Sequence, residues 1–102
     1  MIREYITCAG VNPFRKWLKK LDSSVQARVQ ARILRAETGN LGDHKSVGDG
    51  VCEFRLDFGK GCRIYYGMDG TSIILLLIGG NKGTQRGDIR RAKDYWRQYR
   101  EV

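Results

Sequence analysis

The chain has 102 residues, 41 % of them apolar, which suits one compact domain with a real core and leaves too little for two. Nineteen Lys and Arg against eleven Asp and Glu give a formal charge of +8, a field that draws in polyanions: nucleic acid, an anionic membrane or an acidic protein. The longest apolar run, Ile73 to Ile78, is far too short for a bilayer span, and Met1-Ile2-Arg3-Glu4-Tyr5 lacks a signal peptide's apolar stretch, so a cytoplasmic protein is expected.

Residues 2–7 carry Ile2, Tyr5, Ile6 and Thr7 and predict a first strand. Asn12-Pro13 reads as a helix start, with Asn as the cap and Pro at the first helical position. Phe14, Trp17, Leu18 and Leu21 then give that helix one apolar face. Asp22-Ser23-Ser24 interrupts it and caps a second helix, whose stripe is Val25, Val29, Ile33 and Ala36. Gly39 stands where a left-handed C-terminal residue belongs. A helical hairpin with one buried face follows. Residues 41–50, rich in Gly and Asp and containing His44-Lys45, read as loop.

The period then changes. Cys52, Phe54, Leu56 and Phe58 alternate with Glu53, Arg55 and Asp57, as in a strand with one dry and one wet face. Gly59-Lys60-Gly61 is a natural hairpin loop, and Cys62, Ile64 and Tyr66 return on the dry parity. A turn centred on Lys60 sets residue 57 opposite 63 and residue 55 opposite 65. Glu53, Arg55, Asp57, Arg63 and Tyr65 then share a solvent-facing side. Met68-Asp69-Gly70-Thr71 is the next turn, and residues 72–78 are apolar on both parities, as in a strand covered on both faces. Gly79-Gly80-Asn81-Lys82-Gly83 breaks that strand, and a last helix over 88–100 carries the stripe Ile89, Ala92, Trp96 and Tyr99. The order β-α-α-β-β-β-α predicts one α+β domain over residues 1–102: a small, largely antiparallel sheet packed with an N-terminal helical hairpin and a C-terminal helix. Cys8, Cys52 and Cys62 form no ligand-spaced set, and His44 is the one histidine, so neither a metal nor another cofactor is expected. The cysteines read as small core residues, with a cross-hairpin pairing of Cys52 and Cys62 the alternative.

These elements, in this order, resemble the RelE/ParE toxin superfamily. The segments Gly50-Val-Cys-Glu-Phe-Arg55, Gly61-Cys-Arg-Ile-Tyr-Tyr66, Ile74-Leu-Leu-Leu-Ile-Gly-Gly-Asn-Lys82-Gly-Thr-Gln85, Asp88-Ile89 and Ala92-Lys93 resemble the HigB-like addiction-module killer branch, over nearly the whole chain. The resemblance implies a RelE-like fold, a cognate antitoxin of helix-turn-helix type, and a toxin that cleaves messenger RNA in the ribosomal A site. ParE-type relatives instead poison DNA gyrase and carry no nuclease site. A third class is a toxin-fold protein whose main role is antitoxin binding and operon autoregulation.

Metal-free RNA cleavage needs a base for the 2′-hydroxyl, cations on the pentacoordinate phosphorus, an acid for the leaving 5′-oxygen and in-line alignment. Arginine suits the second task, because its fork bonds two phosphate oxygens and stays charged. Arg55 and Arg63, on adjacent strands, are the expected catalytic pair, and family nucleases carry arginines at about these places. The alternative is a surface pair bridging to Glu53 and Asp57. Lys82, after the central strand, is a third catalytic candidate, either as phosphate ligand and acid or as a solvated loop lysine. Lys45, Glu53, Tyr65, Arg90 and Arg91 are candidate substrate-binding residues. Glu53 serves as base or as orienting partner of Arg55; Tyr65 stacks on a base or only supports the sheet. The basic helix face with Arg90, Arg91, Lys93, Arg97 and Arg100 contacts ribosomal RNA or is simply solvated. His44 is a lesser acid–base candidate. Trp17 and Trp96 sit on apolar stripes and are expected in the core. Several nuclease relatives place His or Tyr after the central strand; here Lys82-Gly83-Thr84-Gln85 supplies neither.

Overall fold

In the computed structural model, which describes residues 1–101, the first two helices begin where the sequence caps them. Helix α1 (Pro13–Leu18) starts after Asn12, whose side chain accepts from the Arg15 amide at 3.0 Å. Helix α2 (Ser23–Glu37) starts after Asp22, which accepts from the Ser24 amide, and ends at Gly39 with φ +100°. The strands are β1 (Ile2–Glu4), β2 (His44–Gly48), β3 (Val51–Arg55), β4 (Arg63–Asp69) and β5 (Ile73–Gly80). A short 3-10 turn (Lys82–Thr84) then leads into α3 (Gln85–Arg100). The five strands lie in the order β1-β5-β4-β3-β2, with β1 parallel to β5 and every other pair antiparallel. The architecture is α+β, as the order of patterns predicts, and compatible with a RelE-like fold.

Two differences from the expected elements matter. Residues 44–48 are a strand and not a loop. Their own pattern is weak, and they hold as an edge strand because β3 supplies the ladder, with Lys45 opposite Glu53. The β3–β4 register also differs by two residues. Arg55 stands opposite Arg63, and Leu56 donates to the Cys62 carbonyl at 3.0 Å, so the hairpin loop is wider than the Gly59-Lys60-Gly61 tip suggests. A shift of two preserves parity, so the faces stay as assigned. Cys52 faces Tyr66 and not Cys62, and all three thiols are free.

The sheet is covered on both sides. Phe54, Leu56, Ile64, Tyr66, Ile74 and Leu76 pack under α1 and α2 against Phe14, Leu18, Val29 and Ile33. On the other face, Val51, Tyr65, Leu75 and Leu77 pack under α3 against Ala92 and Trp96. The face of β3 and β4 expected to be wet is therefore largely dry. The cause is Trp96, which needs a floor and finds it at Gly67: a Cβ there would lie 2.3 Å from the indole. Glu53, Arg63 and Tyr65 are buried on this face, whereas Arg55 at the sheet end is half-buried.

A bulge in β5 re-aims the end of that strand. Tyr65 pairs with Ile78 but Tyr66 pairs with Leu76, so one extra residue is absorbed and parity switches. Gly79 comes to lie on the α1 face and Gly80 on the α3 face. Both glycines stay in the strand and are buried, instead of breaking it. Cβ atoms there would lie 2.1 Å from Trp17 and 1.8 Å from the Asp88 carboxylate, so the closeness of the two helices requires them.

The seating of α3 generates a direct expectation. Gly67→Ala should force Trp96 off the sheet and destabilise by about 1–3 kcal/mol, seen as a fall of at least about 4 °C in melting temperature. Unchanged melting would mean that Trp96 does not rest on Gly67.

Candidate active site

One row of residues crosses the sheet at the end where α3 begins. The register sets Arg55 beside Arg63 and Arg63 beside Gly80. Opposed side chains on neighbouring strands are about 4.5–5.5 Å apart at Cβ, and like charges so placed repel. Arg55 is turned outward to Asp43, with Nη2 3.1 Å from Oδ1. Its counter-ion is thus neither Glu53 nor Asp57 but Asp43, just before β2, in a segment whose sequence reads as loop. Asp43 is itself anchored: its carbonyl accepts from the Arg55 amide and, with the carbonyls of Leu41 and Arg55, from the guanidinium of buried Arg32.

Arg63 is different. It is 7 % exposed, and one guanidinium nitrogen donates to the Gly61 and Cys62 carbonyls at 3.1 and 3.0 Å. Its Nε is buried with no partner, and Arg63 makes no ion pair among the described residues. A buried charge without a counter-ion is costly, and the cost is relieved by an anion. Lys82 reaches the same place from β5. The position of a Cβ on Gly61 lies 3.5 Å from the Lys82 Cβ and 3.6 Å from an Arg63 guanidinium nitrogen. The Lys82 turn is fixed, since the Asn81 side chain accepts from the Gly83 and Thr84 amides and Thr84 Oγ1 accepts from the Asn81 amide. The structure therefore brings Arg55, Arg63 and Lys82 together at one end of the sheet.

The remaining candidates divide. Lys45 is exposed on the same face, opposite Glu53. Glu53 is 0 % exposed, and its carboxylate accepts from Gln85 Nε2 at 3.0 Å. It pins the start of α3 to the sheet and cannot touch a substrate. Gln85, in the motif but assigned no role, is the residue this geometry adds. Tyr65 is likewise 0 % exposed, with an unpartnered hydroxyl. Burial pushes its phenol far above the ordinary range, and the Glu53 and Asp88 carboxylates add to the rise, so it stays a neutral proton donor. It floors the row and offers no stacking face. Both corrections have one cause, the cover that α3 places over these strands. Arg91 bridges to Asp88 at 3.4 Å and lines the groove between α1 and α3. Arg90 is exposed on α3, and nothing draws it to the row. His44 pairs with Phe54, which puts it on the opposite face from the arginines.

Residues 16–96 match a family model described as "Phage derived protein Gp49-like (DUF891)". An "Uncharacterized protein" of Haemophilus influenzae (strain ATCC 51907 / DSM 11121 / KW20 / Rd) is 46 % identical over 81 residues, which are 78 % of this chain and 82 % of that protein. The family match spans every candidate residue from Lys45 to Arg91.

An unpaired buried arginine beside a second arginine should take a phosphate. Inorganic phosphate at a hundredfold excess over its Kd should stabilise the chain by about 2.7 kcal/mol. The rise in melting temperature should largely vanish in Arg63→Gln, whatever that variant's own baseline. An equal rise in both proteins would show that phosphate binds elsewhere.

Proposed function

The chain belongs to the Gp49-like phage-derived protein family, a toxin–antitoxin-type family related to the RelE/HigB-like toxins, and from that premise we propose that it is a toxin that cleaves messenger RNA in the ribosomal A site. The observation that carries the proposal is Arg63: buried, without a counter-ion, and opposite another arginine. Such a pair costs stability in the free protein and is suited to a dianionic phosphorane.

In this mechanism the 2′-oxygen of the substrate attacks the adjacent phosphorus, the bond to the 5′-oxygen breaks, and a 2′,3′-cyclic phosphate remains. Arg55 and Arg63 take the non-bridging oxygens, whose charge grows in the transition state. Lys82 gives a proton to the departing 5′-oxygen. Lys45 holds a flanking phosphate. The base is not supplied by the groups first considered: Glu53 is tied to Gln85, and His44 lies on the other face. Asp43, at the outer end of the row, is held by Arg55, and Asp88, against Gly80, is buried and engaged by Thr84 and Arg91. With no free carboxylate or imidazole at the row, the 2′-hydroxyl proton passes to solvent water or a ribosomal group, and its alignment falls to the ribosome, which gives a physical reason for ribosome dependence. A cognate antitoxin completes the proposed system by neutralising the toxin.

Expressed alone in bacteria, the protein should halt protein synthesis before DNA synthesis in pulse labelling. Arg63→Ala or Arg55→Ala should lower the cleavage rate about a hundred- to thousandfold, as loss of one preorganised donor does. Arg63→Lys should recover only part, since an ammonium lacks the two-pronged fork. If DNA synthesis falls first, with gyrase-dependent strand breaks, the protein acts on gyrase instead. Folded arginine variants that keep full toxicity would remove the site.

A further inference from the structure

On the far side of β5 from Arg63, α1 and α3 leave an open groove of about 420 Å³. Its floor is the end of β5, and its walls carry Lys16 and Trp17 from α1, Lys20 from the turn that follows α1, and Arg91 and Tyr95 from α3. Trp17 is half-buried, with its indole laid directly on Gly79, where a Cβ would sit 2.1 Å from the ring. Lys16, on α1, and Lys20, in the turn just after it, are both exposed at this groove and make no ion pair among the described residues. Two ammonium groups at one groove repel each other, and an anion between them relieves it. The groove's carboxylate, Asp88, is buried and already engaged by Thr84 and Arg91. The groove thus offers an aromatic surface flanked by two free ammonium groups and no free anion.

Its position relative to the arginine row is fixed by the bulge. Gly80 stands beside Arg63 and the next residue back, Gly79, lies under Trp17. Asn81 and Lys82 round the end of the strand between the two, with Asn81 lining the groove. One strand end separates the row from the groove, and Lys82 stands at the crossing.

We infer that this groove receives single-stranded RNA, seating a nucleotide next to the cleaved bond, with its base against Trp17 and its phosphates on Lys16 and Lys20. Aromatic faces interleaved with cations bind single strands, because an unpaired base exposes its π face for stacking. A duplex keeps its bases stacked and paired and cannot use the indole. The inference rests on the proposed RNA cleavage for the identity of the ligand, but its test is independent of catalysis.

The test is a fluorescence titration of the purified full chain at low salt with a 2′-O-methyl RNA decamer, which binds but cannot be cleaved. Wild type should show saturable quenching of tryptophan emission. The quenching should be lost in Trp17→Phe, and should persist in Arg63→Gln even where cleavage is gone. Lys16→Gln/Lys20→Gln changes only exposed side chains, and so should fold. Its affinity should fall at least tenfold, and its salt slope by about 1.4, since a single strand loses roughly 0.7 per phosphate contact. A duplex decamer should not quench. Absent quenching, equal quenching by the duplex, or unchanged affinity in the lysine variant would each overturn the groove. Cleavage on ribosomes without groove-dependent quenching removes the groove and leaves the nuclease. Groove-dependent quenching without cleavage does the reverse.

Discussion

The register between β3 and β4 is the constraint on which the site depends, because it holds two arginines face to face. Repulsion between them would ordinarily be relieved by rotation into water. Arg55 does turn outward and finds Asp43, but Arg63 is enclosed, with one nitrogen fixed to the carbonyls of its own loop. Buried Arg32 fixes the other end of the row, donating to the carbonyls of Arg55, Leu41 and Asp43 while its guanidinium lies 5.4 Å from the centre of the Phe54 ring. Arg32 thus orders the backbone that presents Arg55, while Arg63 lies buried beside it without a counter-ion among the described residues.

The same economy shapes the end of β5. A bulge turns two consecutive glycines to opposite faces, where Trp17 closes down on one and Asp88 on the other. Any side chain at either position would lift a helix off the sheet. With both helices seated, α3 starts beside Glu53, Gln85 locks it there, and the capped Lys82 turn is delivered next to Arg63. Packing and charge placement are therefore one problem in this fold. The glycines that permit close approach also line the groove on the far side.

Much of this was legible in the residues themselves. Asn12-Pro13, Asp22 and Gly39 mark helix ends through local capping chemistry, which needs no tertiary partner. The alternation through 52–58 and 62–66 assigns faces correctly, because parity survives a register error of two. The register itself was not legible, since loop width depends on how Leu56 and Cys62 close the ladder and not on the glycines between them. Nor was β2, an edge strand held by its neighbour. The burial of Glu53, Arg63 and Tyr65 escaped for a similar reason. Charged alternation reads as a wet face, and only Gly67 beneath Trp96 hints that a helix covers it. Arg55, Arg63 and Lys82 can be named from the sequence as candidates, but the burial of Arg63 without a counter-ion belongs to the assembled structure.

The most direct measurement is the chemistry of the cut. Purified protein added to ribosomes translating a defined messenger should yield fragments broken within the reading frame, with a cyclic or 3′ phosphate on the upstream end and a free 5′-hydroxyl on the downstream end. The same messenger without ribosomes should be cut poorly. Intact messenger under translating conditions, or fragments bearing 5′-phosphates, would contradict attack by the 2′-oxygen at the Arg55–Arg63 row.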